Sequence, residues 1–173
     1  MMIDLLRNNV PVLMKNFVSM IESEFIFVAT HKEPFIFLRE RSRIAARATG
    51  DYMNELMKPV VIKHFREIVD SCYILKIKNS QNITEMTDLS KKILAIAFSD
   101  EFTNDIPLQV KFIISQIFNM SKRYGFANYN YMLTGNMLFL RCLCPMISVP
   151  EYYGINTPSK GAPGQPARKC MVL

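Results

Sequence analysis

The chain has 173 residues, half of them hydrophobic, and a formal net charge of +6, which suits one domain with a real core and excludes a disordered chain. No uninterrupted apolar stretch reaches the length of a transmembrane helix, and the N-terminus does not resemble a signal peptide. The positive charge favours an acidic partner, but no Lys/Arg run with interleaved aromatic residues marks a nucleic-acid surface, so nucleic acid is not an expected partner.

Apolar residues recur every three or four positions through most of the chain, which is the period of amphipathic helices. The stretch Leu6–Phe25 predicts a first helix, and a break is expected at 29–34. A second helix is predicted from Ser42, a candidate N-cap, to about Cys72. Pro59 is expected to interrupt this helix or to start its next turn, because proline cannot donate the backbone hydrogen bond of a helix interior.

The second half of the chain predicts three further helices, which span roughly Ile83–Phe98, Pro107–Gly125 and Tyr129–Ile147. Residues 148–173 are rich in Pro and Gly, which break regular structure. The predicted fold class is therefore all-α, with antiparallel helices joined by mostly short loops. We expect a helical core over 1–147, followed over 148–173 by a tail or by the start of a final helical region.

Two arginines follow the same pair of apolar residues, in Phe37-Leu38-Arg39 and in Phe139-Leu140-Arg141. The second tripeptide lies in Met137–Ile147, a run that is otherwise apolar. A guanidinium group does not lose its proton in proteins and is rarely buried without partners. Arg141 must therefore either extend to the surface or be held by hydrogen-bond acceptors.

The segment around Arg141 resembles the signature of the Ras GTPase-activating domain. That signature reads Phe-Leu-Arg, three residues, then Pro-Ala-Ile, and the chain matches it at Phe139, Leu140, Arg141 and Pro145. Met146 stands where the family has alanine. An arginine and a proline at this fixed spacing in an apolar helix form a specific match.

A second match lies about a hundred residues upstream, where the family has its finger loop. The segment 37–47, which begins in a loop expected at about 34–43, is similar to a Phe-Arg-x-Asn-Ser-Leu-Ala-x-Lys pattern, and Tyr52-Met53 resembles the aromatic pair that follows it. One extra residue precedes Tyr52, so the alignment favours Arg39 as the catalytic arginine and leaves Arg41 as a rival. The resemblance covers nearly the whole chain.

The resemblance implies an all-α, antiparallel GTPase-activating domain that is not itself an enzyme. It would insert Arg39 in trans into the site of a GTP-bound Ras-family GTPase. It implies that Arg141 holds the finger loop by hydrogen bonding to backbone carbonyls, and that Ser42 and Arg47 help to shape and dock this loop. No cofactor of its own is expected, since GTP and Mg²⁺ belong to the partner.

The four cysteines have no Cys-x-x-Cys spacing and no adjacent histidine, so no metal site is predicted and a reduced, cytoplasmic chain is expected. The terminal Cys170-Met-Val-Leu173 fits a prenylation box. The family, however, begins an apolar helix at this position and continues beyond it. We favour a truncated domain over a lipid anchor, with membrane contact only through the partner. Truncation would leave apolar surface exposed on the last two predicted helices.

Two other interpretations stay open. One is a relative that binds a GTPase without accelerating hydrolysis. The other is a helical scaffold or interaction module, in which 39–43 is a solvated basic loop and Arg141 extends along the helix surface to water.

Overall fold

The structure is a computed structural model, and it describes residues 9–31, 44–74 and 82–150. All regular structure in these three ranges is helical, which confirms the predicted all-α class. The helices are α1 (Val10–His31), α2 (Ile44–Ile74), α3 (Asn82–Ala97), α4 (Asp100–Asp105), α5 (Leu108–Arg123), α6 (Asn130–Leu138) and α7 (Cys144–Ser148). A 3₁₀ turn, Ala127–Tyr129, precedes α6, and a π turn, Phe139–Leu143, joins α6 to α7.

The chain divides into two compact units. The first comprises Met1–Leu56 with Pro107–Cys142, and the second comprises Met57–Ile106 with Leu143–Leu173. Each unit contributes its own buried apolar side chains.

The core of the first unit forms where α1 packs against α5. Both helices bury one apolar stripe at helical spacing, which on α1 consists of Leu13, Phe17, Ile21, Phe25 and Val28, and on α5 of Val110, Ile113, Ile117 and Met120. Burying each such side chain contributes about 1.5–3 kcal/mol. The Phe17 ring also stacks on Tyr52 of α2 with centroids 5.0 Å apart, so α2 begins against the α1 stripe.

The core of the second unit forms along the second half of α2. Met57, Val61 and Phe65 are buried there at spacings of four residues, and Phe102 of α4 packs edge-on against Phe65 with ring centroids 5.3 Å apart. Ser99 caps α4, because its hydroxyl accepts a hydrogen bond from the Phe102 backbone N–H at 3.2 Å. This short helix was not predicted, although a capping serine followed by two acidic residues is a helix-start signal.

Pro59 does not interrupt α2, so the first of the two outcomes expected at this position, an interruption, is wrong. The helix is continuous from Ile44 to Ile74 with Pro59 inside it. Proline removes one N–H donor and crowds the carbonyl of Glu55, which typically costs about 3 kcal/mol or more. The burial of Met57 and Val61 on either side of Pro59 offsets this cost, because both side chains need helical geometry to reach the core.

The break expected at 29–34 is wrong for its first three residues, since α1 continues through His31, and residues 32–34 lie outside the described residues. Val28 extends the buried stripe by one more turn. The Thr30 hydroxyl donates to the Ile26 carbonyl at 2.9 Å. Burial of a further apolar residue and side-chain bonding to the backbone sustain the last turn.

The helices at the end of the first unit expose several large apolar side chains, which are Leu108, Phe112, Tyr131 and, on the π turn, Leu140. No helix in the described ranges is long and apolar enough to cross a membrane.

Candidate functional site

The Phe139-Leu140-Arg141 tripeptide lies within the π turn. Pro145 follows Arg141 by four residues, so it has no N–H to donate to the Arg141 carbonyl and its ring would crowd that carbonyl in a regular α-helix. A π turn just before the proline relieves this conflict by widening the helix. Such turns are rare and occur frequently at functional sites, which makes this turn the first candidate.

The π turn also changes which side chains are buried. In α6 the buried residues include Thr134 and Met137, and regular α-helical spacing would place Arg141 four residues beyond Met137 on the same side. The extra residue of the turn shifts burial by one position, to Cys142 and Met146, which are both fully buried. Arg141 is left half-buried. The guanidinium therefore stays in an apolar run without occupying the centre of the core.

Gly50 of α2 lies directly against Arg141. A Cβ atom built on Gly50 would lie 3.7 Å from Arg141 Cβ and 4.0 Å from the Arg141 carbonyl oxygen. The space between the α2 backbone and the π turn therefore holds one methyl group in ordinary contact but no larger side chain. Because α2 begins at Ile44, the turn that carries Arg141 packs on the helix that comes directly after the predicted finger loop at about 34–43.

Thr49, next to Gly50, is a buried polar residue that the sequence did not single out. Its side chain is almost completely buried, and its hydroxyl has no hydrogen-bond partner in the described part of the chain. An unsatisfied buried hydroxyl costs about 1–3 kcal/mol. The Thr49 hydroxyl thus carries hydrogen-bonding capacity that the described residues do not use.

The remaining predicted site residues are distributed as follows. Arg47 is largely exposed, and its Nε lies 3.9 Å from Asp51 Oδ2 one turn further along α2. Phe139 and Pro145 are half-buried and Leu140 is exposed. The predicted residues Arg39, Arg41, Ser42 and Cys170 lie outside the described residues, so their roles stay predictions.

A second cluster of polar residues, also unpredicted, lies in the second unit. Asp105 Oδ2 accepts a hydrogen bond from Lys63 Nζ at 2.6 Å and lies 2.6 Å from His64 Nε2. The hydrogen bond from Lys63, followed by that from His64, lowers the pKa of Asp105, and the same hydrogen bond raises the pKa of Lys63. The His64 ring is buried and packs edge-on against Phe102. This cluster fastens the end of α4 to α2.

The two cysteines beside Arg141 differ in environment. Cys142 is fully buried, and its desolvation raises the pKa of the thiol to about 12. Cys144 is exposed, and partial desolvation raises its pKa as well. Within the described ranges no group of three or more His, Cys, Asp or Glu residues is placed to hold a metal ion.

The chain matches no protein-family model, no curated protein and no solved structure. A functional assignment therefore depends on the arrangement of residues around the π turn.

Proposed function

We propose that the chain is a GTPase-activating module for a Ras-type small GTPase, with a fold of the Ras GTPase-activating type. The observation that carries the proposal is the position of Arg141. It lies on a π turn, four residues before Pro145, and packs on Gly50 of the helix that follows the finger segment. This position of Arg141, on the helix that comes after the predicted loop, supports the proposed role of holding that loop.

In the proposed mechanism Arg39 supplies the missing positive charge. A small GTPase hydrolyses GTP slowly because negative charge developing on the phosphoryl oxygens is under-compensated, and an arginine in trans raises the rate roughly 10³–10⁵-fold. Arginine suits this role because it stays charged and presents its donors in a rigid planar fork. GTP and Mg²⁺ are bound by the GTPase, which would act in the cytoplasm or at the inner membrane surface.

Arg141 is a positioning residue in this mechanism, and its environment supports that role. Its guanidinium offers five donors, and its half-buried position keeps those donors from being fully solvated. Arg39 precedes Ile44 by five residues, a chain length of at most about 18 Å. This short connection between Arg39 and α2 supports the proposed role of Arg141 in holding the loop. Ser42 and Arg47 would help to set the loop conformation.

The test is single-turnover GTP hydrolysis by Ras-family GTPases with the wild-type chain and with Arg39→Ala, Arg41→Ala and Arg141→Ala. The wild type should accelerate hydrolysis, and Arg39→Ala should lose roughly 10³-fold or more of this acceleration with binding largely kept. Arg141→Ala should lose part of the acceleration, because it leaves Arg39 in place but poorly held. A large loss in Arg41→Ala alone would transfer the finger role to Arg41.

Two results would replace the proposal. Binding that depends on the GTP state without acceleration would identify a non-catalytic GTPase-binding relative. If the chain showed neither acceleration nor such binding, the scaffold interpretation would remain, in which the arginines are ordinary surface residues.

A further inference from the structure

A cleft of about 430 Å³ lies in the second unit, between the second half of α2 and α3. The α2 wall of the cleft includes His64, Glu67 and Ile68, and the α3 wall includes Leu89, Lys92 and Ile96. This volume lies within the range of about 300–1,000 Å³ that is typical of small-molecule sites. Nothing in the proposed GTPase function uses this cleft.

The cleft exists because α3 packs loosely. Its apolar residues Met86, Leu89, Ile93 and Ile96 recur at helical spacing, yet each is only half-buried. Over residues 84–97, whose side-chain burial the structure describes, α3 has no fully buried side chain. A ligand that filled the cleft would remove this apolar surface from water, which is favourable by about 25 cal/mol per Å².

The two walls of the cleft carry opposite charges. Glu67 on α2 and Lys92 on α3 are both exposed, and among the described residues neither side chain forms an ion pair. The neighbouring Lys91 does pair, with its Nζ 3.7 Å from Asp88 Oδ1. His64 Nε2 is engaged by Asp105. The cleft thus presents one carboxylate and one ammonium group that have no ion-pair partner among the described residues, above an apolar floor.

We propose that this cleft binds a small zwitterionic amphiphile, such as a single-chain phosphocholine. Its apolar chain would lie on Ile68, Leu89 and Ile96, its anionic group would face Lys92, and its cationic group would face Glu67. A zwitterion fits because the lining charges balance. A purely anionic or purely cationic amphiphile would meet one like charge for each opposite charge.

The experiment compares three amphiphiles with the same twelve-carbon chain, each below its micelle concentration. Dodecylphosphocholine is the zwitterion, dodecanoate the anion and dodecyltrimethylammonium the cation. Their affinities are measured by amide chemical-shift titration of the full chain, with circular dichroism at each point to verify that the fold is kept. Dodecylphosphocholine should bind most tightly and should shift the amides of α3 and of the second half of α2.

Variants of the two charged residues test which headgroup each of them contacts, and a variant of a neighbouring lysine serves as the matched control. Lys92→Gln and Glu67→Gln should each weaken dodecylphosphocholine binding about 2- to 5-fold, the range for exposed charge pairs. Glu67→Gln should at the same time strengthen dodecanoate binding, and Lys92→Gln should strengthen dodecyltrimethylammonium binding. Lys91→Gln removes the adjacent lysine, which does not line the cleft, and should change none of the three affinities.

A filled-cleft variant tests the apolar floor. Leu89→Trp should abolish binding, whereas Leu94→Trp, on the exposed side of the same helix, should not. If Leu89→Trp fails to fold, the affinities of the charge variants still test the proposal. Equal affinities for the three headgroups, or equal losses in Lys91→Gln and Lys92→Gln, would overturn the proposal.

Discussion

Gly50 and Arg141 approach so closely that one methyl group would fill the space between them, since a Cβ on Gly50 meets Arg141 Cβ at an ordinary contact distance of 3.7 Å. We expect Gly50→Ala to stabilise the protein by up to about 1 kcal/mol, because glycine in a helix interior is less favourable than alanine. Gly50→Leu should instead destabilise it by about 1–3 kcal/mol, because the larger side chain must displace Arg141. Urea unfolding measures both effects.

Gly135 provides the control for this prediction. It also lies inside a helix, but a Cβ built on it has no neighbour within 4 Å. Gly135→Ala and Gly135→Leu should therefore both be tolerated. A Gly50→Leu variant as stable as Gly135→Leu would show that the α2 contact with the π turn is not tight.

Asp105 predicts an acid-sensitive contribution to stability. Its pKa is lowered from an ordinary value of 3.8 by the hydrogen bonds from Lys63 and His64. A carboxyl group whose folded pKa is depressed stabilises the fold above its unfolded pKa, and this contribution is lost as the pH falls through the folded pKa. Unfolding midpoints in urea should thus decline below about pH 4–5 in the wild type, and this decline should be smaller in Asp105→Asn.

Asp88→Asn serves as the reference for that measurement, because Asp88 also pairs with a lysine but is exposed on α3. It should leave the acid decline unchanged. An identical pH profile for Asp105→Asn and the wild type would show that the Asp105 cluster does not couple to folding.

Phe102 should be the main anchor of α4. Its ring is fully buried against Phe65 and His64, so Phe102→Ala should cost about 3–5 kcal/mol. Phe98, four residues earlier, is 71 % exposed, and Phe98→Ala should change the free energy of unfolding by about 0.5 kcal/mol or less. Chemical denaturation measures the free energy of unfolding of both variants. Similar losses of free energy in the two variants would contradict the placement of α4.

Cys142 and Cys144 should differ in reactivity although they are separated by one residue. Alkylation requires the thiolate, and burial raises the pKa of Cys142 to about 12, which leaves roughly one thiolate in 10⁴ at pH 8. Iodoacetamide should therefore label Cys144 in the native protein and Cys142 only after unfolding. Peptide mass spectrometry reads both sites, and fast native labelling of Cys142 would mean that the π turn opens readily.

The predictable parts of the fold are those in which a local pattern and tertiary packing agree. The helix after Pro107 has a proline start, a continuous apolar stripe and Gly125 just beyond its end, with a positive φ of 86° that glycine accepts without strain. The sequence pattern does not predict α4, because its six residues are too few to show apolar residues recurring at helical spacing. The interruption expected as one outcome at Pro59 does not occur, because burial on both sides outweighs the local helix-breaking effect of proline.

The candidate site was predictable only in part. The Arg141–Pro145 spacing singled out the segment that contains the π turn. It does not predict the turn itself, since several backbone arrangements can relieve the conflict with the proline. The contact with Gly50 joins residues 91 positions apart in the chain, and no local pattern encodes it. The Arg47–Asp51 pair is the opposite case, because four-residue spacing on a helix places such charges together.

The loose packing of α3 also has a dynamic consequence. Helices with few buried side chains open locally, at a free energy well below that of global unfolding. The amide protons of α3 should thus exchange with solvent before those of α1 and α5, and their exchange should depend little on denaturant. A ligand in the adjacent cleft would slow this exchange before it changes the melting temperature of the whole chain. Hydrogen exchange in α3 is therefore the more sensitive measure of ligand binding.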